Sequence, residues 1–399
     1  MLNPGSVLLR VPNWIGDAAM ATAVVSAFAA QRPDIHLEIA GRGAVVDLFP
    51  GLLPAERCHR LGPGFPAAVR GRFDLGVLLP DSLSSAWINF RNGIPSLGRR
   101  ADARTLLLRH PRPPRPRPPV AHVVEEWDDL LEPLGVRPSQ CLPQIILTAE
   151  ERAAGRETLM NAAEGAASAP RGTVTGIDPA QPDDPGAAPS GNARAWTVEG
   201  AASAPRGTVT GIDPAQPDDP GAVPSDTVRA SGGGRSARIA VLSPGAAYGT
   251  AKRWPTERFA ALAIELREEG IASVAAGAAG EEESVQAVAQ AVGTRPLVGL
   301  PVREWAAALA AATVVVTNDS GAAHVAAACG TPVLALFGST SPTWTRPRGE
   351  GHRVLTLGLP CAPCFRRECP LGHLDCLLKM DVRMVREAAL EMCAVRPVA

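Results

Sequence analysis

The chain lacks a surplus of charge of either sign. Its 39 Lys and Arg stand against 40 Asp and Glu, for a formal net charge of −1. Whole-chain electrostatics therefore give no pointer to nucleic acid. Long apolar runs are missing too, since none reaches the roughly 18 residues that cross a bilayer. The opening segment, MLNPGSVLLRVPNW, does not have the form of a signal peptide. A cytoplasmic protein is expected on those grounds. Eight cysteines in 399 residues then suggest reduced thiols or a metal site before disulfides. A hydrophobic content of 46% with 20% charged residues is that of a globular chain, and the length favours two domains.

One stretch organises the rest, TVVVTNDSGAAHVAAACGTPVLALFGSTSP at 313–342. Residues 314–316 read as a buried strand, Asn318, Asp319, Ser320 and Gly321 as a polar turn, 322–329 as a short helix, and 332–337 as a second strand. Parallel sheets bind ligands at the C-terminal edge where such turns lie. Free N–H groups at the start of the helix suit a phosphate. The same residue types also fill ordinary strand-to-helix turns.

Earlier in the chain, 6–11 reads as a strand, 12–17 as a turn and 18–30 as an Ala-rich helix. Asp17 could cap that helix or point a carboxylate across a cleft. Strands at 35–40 and 73–79 continue the β-α alternation of a parallel sheet. Between 91 and 117, eight arginines face a single acid, Asp102. Such a run can be a solvated face, and the tail PRPPRPRPP a stiff polyproline linker. Its local excess favours an anionic partner, either ligand phosphates or an acidic membrane surface.

Residues 164–190 recur as 199–225 with one difference, Val223 in place of Ala188. Pro, Gly, Ala and Asp dominate both copies, so 165–235 is expected to be a disordered insertion without chemistry. Beyond it a strand at 237–242 leads into Ser243–Pro255, a small-residue loop carrying Thr250 and Lys252, and then into a helix at 256–269. Backbone N–H groups and Lys252 suit a diphosphate there, although neither GxxxxGK[ST] nor GxGxxG is present. The acids 281–283 could reach a ribose hydroxyl or simply favour a helix start.

In this order, RVPNWIGDAAM, PGAAYGTAKRWP, NDSGAAHVAAACGTPVLALFGST and CAPCFRRECPLGHLDC closely resemble the type II heptosyltransferases of glycosyltransferase family 9. The resemblance implies an α/β GT-B fold, with two Rossmann-like domains facing one another across a cleft. Residues 1–163 would take the acceptor, 164–235 would be the insertion, and 236–380 would bind ADP-heptose. Residues 381–399 would supply a helix crossing back to the first domain. It further implies inverting transfer of L-glycero-D-manno-heptose from ADP-heptose to the first heptose of the lipopolysaccharide inner core. Asp17 would be the general base. Lys252, Thr250 and the loop amides would stabilise departing ADP, with Glu282 on the ribose. Asp319 would hold heptose hydroxyls, Ser320, Gly321 and His324 would line the phosphate end, and Asn318 would be a further substrate contact. Arg99 and Arg100 would meet a phosphorylated, lipid-anchored acceptor at the membrane surface. No metal is required for that chemistry.

Cys361, Cys364, Cys369 and Cys376, with His373 nearby, could hold a structural zinc or form a loop of reduced thiols. Two alternatives stand beside the main expectation. One is a type I or III family 9 enzyme with another acceptor, and the other is a non-catalytic nucleotide-sugar binder.

Overall fold

The computed structural model describes residues 1–62, 69, 71–167, 194–197 and 238–395. The first half of the chain runs β1 (Ser6–Arg10), α1 (Ile15–Gln31), β2 (His36–Arg42), β3 (Cys58–Leu61), β4 (Leu75–Leu78), α2 (Leu83–Arg91), β5 (Ser96–Arg99), β6 (His110–Arg112), α3 (Val123–Leu131) and α4 (Ala149–Ala163). Its six strands pair in parallel in the order β3-β2-β1-β4-β5-β6. The second half runs β7 (Arg194–Thr197), β8 (Ile239–Ser243), α5 (Thr256–Glu268), β9 (Ala272–Gly277), α6 (Glu282–Val292), β10 (Leu297–Val298), α7 (Val302–Ala310), β11 (Val314–Asn318), α8 (Gly321–Ala328), β12 (Val333–Leu336), α9 (Pro342–Thr345), β13 (Arg353–Thr356), α10 (Asp375–Leu378) and α11 (Val382–Val395). Its order is β10-β9-β8-β11-β12-β13-β7, with β7 alone antiparallel.

Both sheets thus repeat one winding, in which the chain starts centrally, moves outward, then returns to the other side. The reversal falls between β1 and β4 in one sheet and between β8 and β11 in the other. Loops leaving those central strands open the crevices in which doubly wound sheets bind ligands. The expected α/β architecture of two Rossmann-like halves is therefore present.

α1 is buried almost all round, from Ala18 to Phe28, as a helix covered on two sides must be. It packs on α8 and shares a core cluster with residues of β1, β2 and β4 in its own sheet. The main core cluster is accordingly continuous across both halves, joining Val24 and Phe28 of α1 to Val325 and Ala326 of α8. A second tie is α4, which opens with a reciprocal Thr148–Glu151 capping box. Glu151 also accepts from Arg303 of α7, at 2.5 and 2.6 Å, while Arg303 donates to the carbonyls of Asp47 and Ile146. These bonds hold the Glu151 carboxyl down at about 2, far below its ordinary range.

Two expectations need correction, those for the last helix and for the proline-rich run. The last helix does not cross back to the first half: Val385, Ala388, Ala389 and Met392 join Phe259, Leu262 and Leu266 in one core cluster, and α11 packs on α5. Its apolar stripe finds the nearest uncovered apolar face, that of α5, and Arg386 bonds Glu269 beside it. The helix that crosses between the halves is α4 instead. Most of the duplicated insertion lies outside the described residues. Its spacer between the two copies, however, supplies β7, which pairs with β13; Trp196 and Thr197 are residue types that favour strands. The proline-rich run is not a linker throughout either, since 110–112 form an edge strand, where Pro is tolerated.

Gly155 sets how closely α4 and α7 approach. A Cβ there would lie 2.3 Å from the backbone carbon and oxygen of Ala307. In an isolated helix Gly155→Ala should gain up to about 1 kcal/mol. Here it is expected to cost about 1–3 kcal/mol instead, because backbone cannot move aside as a side chain can. A fall in Tm on thermal melting is the predicted outcome; a rise would mean the two helices separate easily.

Candidate active site

α1 and α8 start against one another. A Cβ on Gly16 would sit 3.2 Å from Gly321 Cα and 2.8 Å from His324 Cδ2, and one on Gly321 would sit 2.3 Å from Ile15 Cγ2. Only glycines at both positions allow this approach. The contact juxtaposes two helix N-termini, each with unpaired N–H groups and a positive dipole end. Asp17 belongs to the first turn of α1, and Asp319 lies two residues before α8, next to its N-cap Ser320.

Asp17 is not a helix cap. The helix begins three residues earlier than the sequence suggested, Trp14 is the N-cap residue, and no side chain caps it. Asp17 keeps part of its surface open to solvent but lies deep between the two halves, surrounded by protein. Burial pushes its carboxyl up to about 6, against the opposing pull of Arg115 and Lys252, with Asp319 adding to the rise. A carboxylate poised near neutrality with cations close by can act as a proton acceptor.

Lys252 donates to Asp319 Oδ2 at 2.6 Å. Thr340 donates to the same oxygen at 2.6 Å, and Thr345 to Oδ1 at 3.3 Å. Asp319 is thereby held by three side chains and is almost wholly buried. The two threonines lie after β12 and in α9, and nothing in the local sequence pattern marked them. A Ser/Thr cluster following a buried strand is the only available signal, and the GST ending is common to many loops.

The Lys252 loop is itself clamped. Asn318 accepts from the Trp254 N–H at 2.9 Å and donates to the Pro244 carbonyl at 2.7 Å, with 0% of its surface exposed. Its amide is fully used in positioning, so the substrate-contact role expected of Asn318 is corrected to that of a loop anchor. Ser320 pairs with Thr317 at 3.0 Å, and Thr250 sits exposed at the head of a short 3-10 turn ending in Lys252. Tyr248, the only tyrosine, stacks between Lys252 and Arg367, with distances of 5.0 and 5.3 Å to its ring centroid. The Arg367 carbonyl accepts from Ala251 N–H. The cysteine-bearing loop thus braces the lysine loop from behind.

His324 lies at the glycine contact, and burial depresses it to about 4. At neutral pH it offers a neutral imidazole and no standing positive charge. Glu282 is placed differently from expectation: it is exposed and accepts from its own loop at Gly280 N–H, 2.9 Å. The acid facing the β8 loop is Glu281, since a Cβ on Gly245 would overlap its carboxyl carbon at 2.0 Å. The first turn of α6 rotates the neighbouring acids to different faces, and spacing alone could not choose between them.

Arg99 is likewise corrected. It is buried and donates to the carbonyls of Glu126 and Pro113, so it serves the interior of the first half. Arg100 is exposed. From the same run Arg115 reaches the site, bonding Asp81 at 2.8 Å and Glu126 at 3.4 Å while acting electrostatically on Asp17.

The zinc expectation is not supported. Among the described residues no three or more His, Cys, Asp or Glu side chains are gathered as a metal site. Cys361, Cys364, Cys369 and Cys376 line one pocket with His373 without converging on a centre. Burial and the neighbouring thiols push Cys376 up to about 11, whereas backbone N–H groups, Leu374 first, draw Cys369 down.

Residues 218–375 match the model of glycosyltransferase family 9 (heptosyltransferase). The chain is 41% identical over 121 residues to lipopolysaccharide heptosyltransferase 2 of Escherichia coli K12, covering 29% of this chain and 35% of that protein. It is 28% identical over 159 residues to lipooligosaccharide heptosyltransferase 2 of Campylobacter jejuni, covering 38% of this chain and 50% of the relative. The chain therefore spans about a third to a half of the length of these curated relatives. Among solved structures, E. coli ADP-heptose lps heptosyltransferase II superposes with a TM-score of 0.64 at 20% identity, covering 98% of this chain and 99% of that one. E. coli heptosyltransferase WaaC with ADP gives 0.58 at 16%, covering 97% and 99%. At such identities the likeness establishes the fold, a GT-B pair of Rossmann-like units.

The raised Asp17 carboxyl has a consequence for stability. Its folded value of about 6 exceeds the ordinary 3.8, so between those values the folded chain holds a proton that the unfolded chain releases. Stability contributed by this group therefore falls as pH rises from about 4 to about 6, and stays reduced above. Asp17→Asn removes that cost. At about pH 7.5 the variant should be more stable by on the order of 1–3 kcal/mol, with the difference vanishing below about pH 4. Melting curves across this range check it; equal Tm at neutral pH would place Asp17 in water.

Proposed function

We propose, for a chain whose residues 218–375 belong to glycosyltransferase family 9, that it transfers L-glycero-D-manno-heptose from ADP-heptose to the first heptose of the lipopolysaccharide inner core. The observation that carries this reading is the Lys252–Asp319 pair beside Asp17, at the point where two helix starts meet. The diphosphate of the donor would displace Asp319 as the partner of Lys252. The N–H groups of the 245–252 loop would share its charge. Asp319, released from the lysine, would turn its carboxylate to the heptose hydroxyls. Ser320, Gly321 and the neutral His324 would line the phosphate end, Thr250 would stand at the loop and Glu281 near the ribose.

In the reaction, the acceptor hydroxyl oxygen attacks the anomeric carbon from the face opposite the diphosphate. Its new C–O bond forms as the bond to the diphosphate oxygen breaks, so the configuration inverts. Asp17 takes the hydroxyl proton. ADP leaves with the electron pair and is stabilised by Lys252. The acceptor is a phosphorylated, lipid-anchored core oligosaccharide, so the enzyme would work peripherally at the cytoplasmic face of the inner membrane. Among the described residues no helix is long and apolar enough to cross a membrane.

Type II specificity draws support from relatives named heptosyltransferase 2, and it competes with a type I reading because a heptosyltransferase 1 of Pseudomonas aeruginosa is also 34% identical over 142 residues. Incubation with ADP-heptose and either an unheptosylated or a monoheptosylated core acceptor, read by mass spectrometry, separates them. Addition of one heptose only to the monoheptosylated acceptor is expected. Addition to the bare core would make the enzyme type I, and donor hydrolysis without transfer would end the transferase reading.

Two substitutions test the roles. Asp17→Asn should lower kcat by roughly 10²–10⁴ with donor binding nearly intact, as for loss of a general base. Lys252→Ala should weaken ADP binding and turnover together, because the lysine contacts the diphosphate before and during departure. Unchanged calorimetric ADP affinity in the second variant would take Lys252 out of the donor site.

A further inference from the structure

The outward face of α2 is apolar. Leu83, Trp87 and Phe90 recur at spacings of four and three, on one side of the helix, and each is about half exposed, at 52%, 51% and 55%. The opposite side, Ser85, Ala86 and Asn89, is buried. Trp87 and Phe90 stack on one another with ring centroids 5.9 Å apart. They cover part of each other, and both remain open to solvent. A short 3-10 helix, Asp102–Leu107, packs beside α2 and carries Leu106, which is 87% exposed. Large apolar side chains scattered singly on a surface need no explanation, but a stacked aromatic pair within a stripe does.

Charge frames the stripe. Arg91 ends α2, and Arg109 follows the 3-10 helix; both are exposed and form no ion pair among the described residues. Of the acids nearby, Asp81 pairs with Arg104 and Arg115, and Glu126 with Arg115; Asp102, which opens the 3-10 helix, is exposed and leaves the arginines of this segment in excess. The arginine run thus divides in two: Arg99, Arg104, Arg112 and Arg115 have bonded or ion-paired partners, and Arg91, Arg100, Arg109 and Arg117 are exposed. An aromatic and aliphatic face with an unpaired cationic rim complements the boundary of an anionic bilayer, where Trp settles at headgroup depth.

Position completes the argument. α2 leaves β4 at the C-terminal edge of the first sheet, the edge from which Asp17 also projects. A surface seated on lipid there brings the membrane to the acceptor side of the cleft.

We propose that Leu83, Trp87, Phe90 and Leu106, flanked by Arg91 and Arg109, form a docking surface for an anionic lipid bilayer. The inference rests on the reading of the acceptor as a membrane-anchored glycolipid, and its test does not depend on turnover. Full-length protein is sedimented with vesicles of phosphatidylethanolamine containing about one quarter phosphatidylglycerol, and with phosphatidylcholine vesicles alone. Capture by the first and not the second, weakening with salt, is expected. Trp87→Ser/Phe90→Ser should reduce capture more than about tenfold, and Arg91→Gln/Arg109→Gln should remove its salt dependence. The aromatic variant should keep its turnover on a soluble, delipidated acceptor and its elution volume. Equal capture of variant and parent would overturn the proposal. So would a parent dimer that the aromatic substitutions convert to monomer without altering capture, because the stripe would then be an interface between copies. Loss of turnover in the parent itself on the soluble acceptor would count against the transferase reading and leave the vesicle result to stand or fall separately.

Discussion

The close approach of Gly16 to Gly321 is the constraint on which the structure depends. Two helices meet start to start, and a single methyl group on either residue would force them apart. Small residues along α1 and α8 extend the contact into a shared core, so the two sheets are fixed with their crevices facing. Everything with chemical potential follows from that placement. Asp17 comes from the first turn of the helix after β1, Lys252 from the loop after β8 and Asp319 from the loop after β11. All three follow central strands, at the points where each sheet's winding reverses.

Convergent helix starts concentrate positive potential, and the protein balances it with carboxylates. Asp319 is neutralised by Lys252 and accepts from two threonines, whereas Asp17 has no such bonded partner among the described residues and is raised by burial. In the proposed reaction the pair at Lys252 is a stand-in: a protein carboxylate occupies the cation that a diphosphate would claim. Preorganisation comes from behind the loop, through Asn318, the Tyr248 stack and the Arg367 carbonyl. In that light the cysteine-bearing segment acts as a brace for the lysine.

Much of this was legible beforehand. Strand–turn–helix units around Asp17, Lys252 and Asp319 were visible because buried parallel strands read as apolar runs and their turns as small polar clusters. The short strands at 58–61, 96–99, 110–112 and 297–298 were not, since a few residues offer no period to detect. Side-chain direction was also hidden. Glu281 and Glu282 differ only by the rotation of a helix turn, and Arg99 and Arg100 by the alternation of a strand end. Asn318 looked like a ligand contact because its type is common in binding turns; its burial against Trp254 and Pro244 decides otherwise.

The central claim is that the Lys252–Asp319 pair marks the donor diphosphate site. A crystal structure of the protein with ADP tests it most directly. The account predicts the diphosphate within hydrogen-bond distance of Lys252 Nζ and of N–H groups in the 245–252 loop, with the lysine drawn away from Asp319. ADP bound elsewhere, with the 2.6 Å pair still closed, would contradict it.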